Sequence, residues 1–186
     1  MDYQRIIANT NRDNSFMRHN GILLTQMEKD RAVVEADLTE TNRNLYGAVH
    51  GGMFLTMADC ASGGAARSNG MRYVTVSNSF EFYSNSKGSH LIAEGKVKNR
   101  GKTICVVEVE IKDDTGKLLC GGTFTMFCVG KLDLDSPTNG SYHGVSLVQP
   151  SDESSFRYEG LQAGPGRRYD VSQSRRHIGT EGLYFL

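Results

Sequence analysis

The chain of 186 residues has no tryptophan and only three prolines, Pro137, Pro150 and Pro165. All three stand late, so no proline interrupts a helix or a sheet ladder in the earlier part. Cys60, Cys105, Cys120 and Cys128 form no C-x-x-C pair, which argues against a zinc site or any other metal. Flanked mostly by apolar or small residues, they read as reduced thiols packed as small hydrophobes. That suits a reducing compartment. Charge of one sign is also missing, since 21 basic residues balance 21 acidic ones. No overall field draws such a chain to nucleic acid or to an anionic membrane. No run approaches the roughly 20 apolar residues of a membrane span. The opening MDYQRIIANTNRDNSF lacks the apolar stretch of a signal peptide. Asp2 and Asp13 sit badly in a mitochondrial presequence. These absences predict a cytoplasmic protein that binds neither nucleic acid nor membrane.

What is present is regular up to about Gly130. Beyond it the pattern dissolves into Ser, Gly, Asn and scattered charge. Such a composition cannot bury enough apolar surface to offset its ordering entropy. The expectation is one domain over residues 1–130 and a mostly disordered tail over 131–186. Within the domain a short helix is expected from Asn9 to Arg18. Ile22 to Met27 and Ala32 to Leu38 read as strands around a tight Glu28-Lys29-Asp30 turn. Met53, Met57, Cys60 and Gly64 recur at helical spacing, which predicts a helix from Gly51 to Arg67. Phe54, Ala58, Ala61 and Ala65 form its other face, so it should be buried on most sides. Four strands follow: Tyr73–Tyr83, His90–Lys98, Thr103–Lys112 and Lys117–Val129. Val74, Val76, Phe80 and Phe82 are expected on one face, and Cys105, Val107, Val109 and Ile111 on another. Asn99-Arg100-Gly101 and Asp113-Asp114-Thr115-Gly116 read as hairpin turns. The architecture expected is α+β, with a four-strand meander wrapping one long central helix.

The stretch from Asn44 to Asp59 carries the chemistry. A polar, Gly-rich loop ends in His50-Gly51-Gly52 and opens directly onto the helix. Backbone N–H groups freed at a helix start can hold a developing negative charge. Gly51 suits this because an absent side chain lets a substrate approach closely. Asp59 follows two turns later among Met, Phe, Leu and Ala, where a buried acid can act as base or nucleophile. The plainer readings are a helix-start glycine and a structural acid paired or capping nearby. His50 either contacts a carbonyl or orients the loop. Asn44 has an amide that donates and accepts, and also suits a turn.

The pattern Asn44-x-x-Gly47-x-x-His50-Gly51-Gly52, then Thr56-x-x-Asp59, resembles the signature of hotdog-fold acyl-CoA thioesterases. The group it resembles is the phenylacetate-pathway and thioesterase-superfamily-2-like one. Tyr73-Val74-Thr75-Val76, Lys98-x-x-Gly101-Lys102-Thr103 and Asp114-x-Gly116-Lys117-Leu118-x-Cys120 are similar to its later strands and hairpins. The resemblance covers roughly residues 15–130. Tyr83-Ser84-Asn85-Ser86 departs from it by lacking a proline, and Glu81 by adding a charge. Neither departure is expected to touch the chemistry. The resemblance implies hydrolysis of acyl-CoA to a free acid and coenzyme A, with no cofactor. It implies that Gly51 polarises the thioester carbonyl and Asp59 serves as base or nucleophile. Asn44 would orient the water or the carbonyl, and the Thr75 hydroxyl would hold the water near Asp59. Gly52, Arg67, Lys98, Arg100 and Lys102 are weaker substrate-binding candidates. For the cations, a solvated surface charge is the plainer reading.

Spacing adds a constraint. Gly51 and Asp59 stand eight residues apart, or about 12 Å along one helix. One carbonyl cannot touch both within a single chain. Two antiparallel helices across a two-fold axis would bring Gly51 of one chain near Asp59 of another, so a homodimer or dimer of dimers is expected. A hydratase of the same fold would resemble Asp-x4-His, but Gly64 stands where that histidine would be. The alternative from another class is a non-catalytic acyl-CoA or acyl-carrier binding module. An unpaired acid in an apolar helix argues against it.

Overall fold

A computed structural model describes residues 1–135. The expected tail lies outside them from residue 136 onward. The element order is α1 (Tyr3–Asp13), α2 (Ser15–His19), β1 (Ile22–Glu28), β2 (Arg31–Asp37), a 3-10 turn (Glu40–Asn42), α3 (Gly51–Arg67), β3 (Met71–Phe82), β4 (His90–Arg100), β5 (Ile104–Asp113) and β6 (Leu118–Lys131). One six-stranded antiparallel sheet carries the order β1-β2-β4-β5-β6-β3. It wraps α3, giving the expected α+β hotdog architecture.

The core follows from period two on the strands and 3.6 on the helix. Cys105, Val107, Val109 and Ile111 are all fully buried, as their alternation predicts. They face Met57, Ala58, Ala61 and Ala65 of α3 within one apolar cluster. The approach of helix and sheet is close. A Cβ on Gly95 of β4 would stand 2.7 Å from the Ala61 carbonyl oxygen, so only glycine fits there.

Several expectations are corrected. The helix expected over Asn9 to Arg18 is two helices, because Asn14 adopts an extended conformation and caps α2 by accepting from Met17 N. The four-strand meander is a three-strand one. β3 does not pair with β4; it crosses to the far edge and pairs with β6. The connection over residues 83–89 makes this possible, since Tyr83 and Ser84 both donate to the Leu119 carbonyl as the chain passes. Val74 and Val76 do not share a face with Phe80 and Phe82. The register slips between Thr75 and Ser77, and such a bulge swaps the faces beyond it. Finally, β4 runs through Arg100, so the second hairpin turn falls at 101–103 rather than 99–101.

Past β6 the chain returns to α1. Leu132 N donates to the Gly70 carbonyl, and Leu134 O accepts from Asn9 Nδ2. No helix among the described residues is long and apolar enough to cross a membrane.

Candidate active site

The site is built around the start of α3. His50 is extended and serves as N-cap; its Nδ1 accepts from Gly52 N at 2.9 Å. That bond puts the ring proton on Nε2, leaving an N–H donor on the side away from the cap. Glycine at 52 leaves room for this, since a Cβ there would stand 3.0 Å from His50 Nδ1 and crowd the ring. Met53 N donates to the His50 carbonyl. Of the first three helical N–H groups, two are therefore spent. Among the described residues, the Gly51 N–H has no partner. It stands at the positive end of the helix dipole, where an unpaired N–H can act as a donor.

The loop before the helix is held by its own polar groups. Asn44 Oδ1 accepts from Tyr46 N and Ala48 N, so half of its amide forms the turn. This turn lifts Leu45 and Tyr46 almost fully into solvent, at 92% and 89% exposed. His50 N donates to the Asn42 carbonyl. Asn85 grips the other side: its Oδ1 accepts from Val49 N at 3.0 Å and its Nδ2 donates to Val49 O at 3.2 Å. The 83–86 segment, expected to stand apart from the chemistry, thus positions the residue next to His50. Nothing in the sequence signals this, since the two residues are 36 positions apart.

Asp59 is not the buried acid its neighbours suggest. It is exposed in the single chain, on a stripe of α3 with Gly52 and Leu55 that the sheet does not cover. Thr75 Oγ1 donates to Asp59 Oδ1 at 2.6 Å. Thr75 also stands 3.4 Å from the sulfur of buried Met126. Beneath, fully buried Ser62 donates to the Asp59 carbonyl. Asp59 and Thr75 are thus brought together within one chain, whereas Gly51 lies eight residues back along the helix. Beside Asp59, burial and then the neighbouring carboxylate push the Cys60 thiol up to about 12.

A row of aromatic rings runs from the core to this site. Phe124 and Phe54 are buried, Phe80 is half-buried and Phe82 is exposed. Phe80 stacks edge-on against both Phe82 and Phe124, at 5.2 and 5.9 Å between centroids. Phe82 lies directly beside Gly51, where a Cβ would meet its ring at 3.6 Å.

The basic candidates separate. Arg100 donates to Asp30 Oδ1, to Tyr73 OH and to the Ala65 and Ala66 carbonyls. It closes the far end of α3 rather than facing solvent. Arg67 lines a cavity of about 260 Å³ with Ile6, Thr10 and Leu132. Its Nε is buried with no hydrogen-bond partner among the described residues, and burial pulls its pKa down. It sits sixteen residues from Gly51, about 24 Å along the helix. Lys98 pairs with Glu108 at 2.8 Å, and Lys102 is exposed. Among the described residues no three His, Cys, Asp or Glu side chains group to hold a metal ion.

Residues 46–120 match the thioesterase superfamily. The chain is 35% identical over 105 residues to the 1,4-dihydroxy-2-naphthoyl-CoA hydrolase of Listeria monocytogenes. That match covers 54% of this chain and 84% of the relative. A hypothetical thioesterase protein of Streptococcus pneumoniae, solved with coenzyme A, is similar at 31% identity and a TM-score of 0.57. The likeness covers 60% of this chain and 91% of that one. The PaaI protein of the Escherichia coli phenylacetic acid degradation operon aligns at a TM-score of 0.66. It covers 70% of this chain and 96% of its own and, at 23% identity, speaks for the fold alone. The fold and these matches agree: the chain belongs to the thioesterase superfamily and is a thioester hydrolase on a hotdog fold.

Proposed function

We propose that the protein hydrolyses acyl-CoA thioesters at sites shared between two copies of the chain. In this reading the Gly51 N–H, aided by His50 Nε2–H, polarises the thioester carbonyl. Asn44 orients the loop and the incoming group. From the other copy, Asp59 activates water or attacks directly, and Thr75 holds it in place. Thioesters are activated acyl donors, so no cofactor is required. Lys98 and Lys102 remain to meet the phosphates of coenzyme A; Arg100 is committed to the fold, and Arg67 lines a cavity about 24 Å along the helix from Gly51. The four free thiols suit the cytoplasm.

The observation that carries this reading is a mismatch within one chain. A poised N–H and a poised carboxylate lie about 12 Å apart on one helix, each lacking its complement. The edge strand β3 supplies a means of pairing. It is twelve residues long and exposed along nearly its whole length, with Val74 and Val76 about half-exposed. An open apolar edge of that length is a template for a second chain. Two relatives lend support through coenzyme A, one by its bound ligand and one by its substrate. In the Streptococcus pneumoniae protein, an aspartate and a threonine sixteen residues apart have each been replaced by alanine. Asp59 and Thr75 have the same separation.

The test is hydrolysis of a panel of acyl-CoAs by the wild type and by Asp59→Ala. The variant should bind but lose on the order of 10²-fold or more in kcat. Mixing inactive Asp59→Ala chains with inactive Gly51→Pro chains should restore about a quarter of wild-type activity through mixed dimers. Binding without turnover in the wild type would favour a scaffold. No restoration on mixing would sink the shared site.

A further inference from the structure

The last turn of α3 carries a charge that the chain leaves unanswered. Arg67 lines the cavity of about 260 Å³ that α1, the end of α3 and the segment after β6 enclose. Its Nε is buried and has no hydrogen-bond partner among the described residues. Burial pulls its pKa down, with Cys60 working the other way. Other polar groups on the wall are engaged elsewhere. Thr10 Oγ1 donates to the Ile6 carbonyl, and Asn9 Nδ2 to that of Leu134. Both Asp13 oxygens accept from Arg12, at 2.7 and 2.8 Å. Asp133 Oδ1 accepts from Asp135 N. The rest of the wall is apolar, where Ile6, Leu132 and Leu134 pack on the core. Apart from Arg67, every residue of the lining lies outside the stretch that matches the superfamily.

We infer that this cavity is a second binding site, separate from the catalytic one, and that it takes a short-chain monocarboxylate whose head group pairs with Arg67. A buried cation with an unpaired donor is costly, and an anion removes that cost. The guanidinium presents its donors in a planar fork that matches a carboxylate. The wall sets the charge of the ligand. Asp13 and Asp133 stand on the same lining, so a second negative charge would meet like charge. That disfavours a phosphate group, and with it coenzyme A. Size sets the length. A water's share of liquid volume is about 30 Å³, so the cavity admits about nine non-hydrogen atoms. A six-carbon acid fits and a sixteen-carbon one does not. Its aliphatic part meets Ile6, Leu132 and Leu134, which buries apolar surface on both sides. The ligand would tie α1 and the segment after β6 to the end of α3. Gly51 lies about 24 Å back along that helix and Asp59 about 12 Å.

The experiment titrates the full chain with hexanoate by calorimetry and follows the thermal midpoint, with hexanamide and inorganic phosphate as controls. Hexanoate should bind saturably and raise the midpoint, because it binds the folded chain alone. Hexanamide, which keeps the shape without the charge, and phosphate should each bind about tenfold more weakly or worse. Arg67→Gln should weaken hexanoate by about 30-fold or more. Arg67→Lys keeps the charge without the fork and should fall between the two. Without ligand, Arg67→Gln should melt no lower than the wild type, since the charge it removes lacks a partner. Gly51→Pro should keep the hexanoate affinity, and Arg67→Gln the KM for acyl-CoA, each within about twofold. No saturable binding would leave the cavity to water and overturn the inference. Hexanamide or phosphate binding as tightly as hexanoate, or hexanoate binding as tightly to Arg67→Gln, would do the same. Binding lost in Gly51→Pro would put the acid in the catalytic site, and a tenfold rise in KM in Arg67→Gln would put Arg67 on the coenzyme A phosphates; either overturns it. If Arg67→Gln does not fold, Arg67→Lys and the wild-type contrast of hexanoate with hexanamide decide. All the binding measurements proceed without turnover, so they hold whether or not Asp59 is catalytic.

Discussion

At its last turn α3 gives the carbonyls of Ala65 and Ala66 to Arg100, which is itself held by Asp30 and Tyr73. At its first turn the same helix spends the amides of Gly52 and Met53 on His50 and leaves that of Gly51 open. Both ends face the same problem of unpaired backbone groups. One is sealed by a half-buried cation supplied from the sheet. The other is two-thirds sealed by its own cap, and the Gly51 amide is left without a partner among the described residues. The contrast separates stability from chemistry on a single element. It also shows that Arg100, a cation the sequence offers to phosphate, already has partners within the chain.

The largest expected effect comes from closing the open end. Gly51→Pro removes the one unpaired N–H and little else. Proline is favoured at the first helical position, and the extended conformation of His50 is what a following proline requires. A Cβ at 51 makes ordinary contact with Phe82. Thermal unfolding should therefore shift by only a degree or two. Thioester hydrolysis should fall by about 10² to 10³-fold, the usual effect of losing one oxyanion donor. A loss below tenfold in a folded variant would remove Gly51 from the chemistry and erase the contrast.

Opening the sealed end should do the reverse. Arg100→Met leaves Asp30 without its partner and the last carbonyls of α3 uncapped. Burial works against the Arg100 charge, but Asp30 and Tyr73 outweigh it and raise its pKa. Breaking a partly buried network of this kind costs about 2–3 kcal/mol, read from the urea midpoint at unchanged m-value. The KM for acyl-CoA should stay within a factor of two. A tenfold rise in KM at wild-type stability would instead place Arg100 on the coenzyme A phosphates.

How far each end was legible in the sequence follows from distance along the chain. The bounds of α3 are those its spacing predicts, Gly51–Arg67, because the cap, the glycines and the 3.6 period are all local. The alternation in β5 is local too, and its inward face is buried as expected. Arg100 meets carbonyls 34 and 35 positions away, and Asn85 meets a loop 36 positions away. No window on the sequence contains both partners. The order of the sheet was hidden for the same reason: alternation tells which face of β3 turns inward, not which strand lies beside it. The bulge at Val76 then inverted that face halfway along. Asp59 misled differently. Its neighbours are apolar, but the stripe it shares with Gly52 and Leu55 is left uncovered because β3 sits at the sheet edge.

β4 sharpens the comparison, since it carries a cation at each end. Arg100 at its close is charged at every accessible pH. His90 at its start is not. His90 Nδ1 bonds Asp37 at 2.7 Å and Nε2 lies 3.1 Å from Glu35. Its pKa is raised, first by the hydrogen bond to Asp37; burial works against that rise, and the hydrogen bond to Glu35 adds to it. The sign follows. Below about 6.5, the ordinary histidine value, the ring is protonated folded and unfolded alike, and its pairs stabilise in full. As pH rises through the higher folded value, the folded protein gives up its proton and that stabilisation is lost. Replacing the ring with His90→Gln should therefore lower stability at pH 5.5 and make little difference well above the folded value. The pairs lie near the surface, so the effect should be under about 1 kcal/mol. Urea melts of both proteins from pH 5.5 to 9 would show it as two curves that converge upward. Arg100→Met, measured in the same series, should run parallel to the wild type across the whole range. Parallel curves for His90→Gln, or a gap that widens with pH, would mean that the two ends of β4 are not distinguished by their proton.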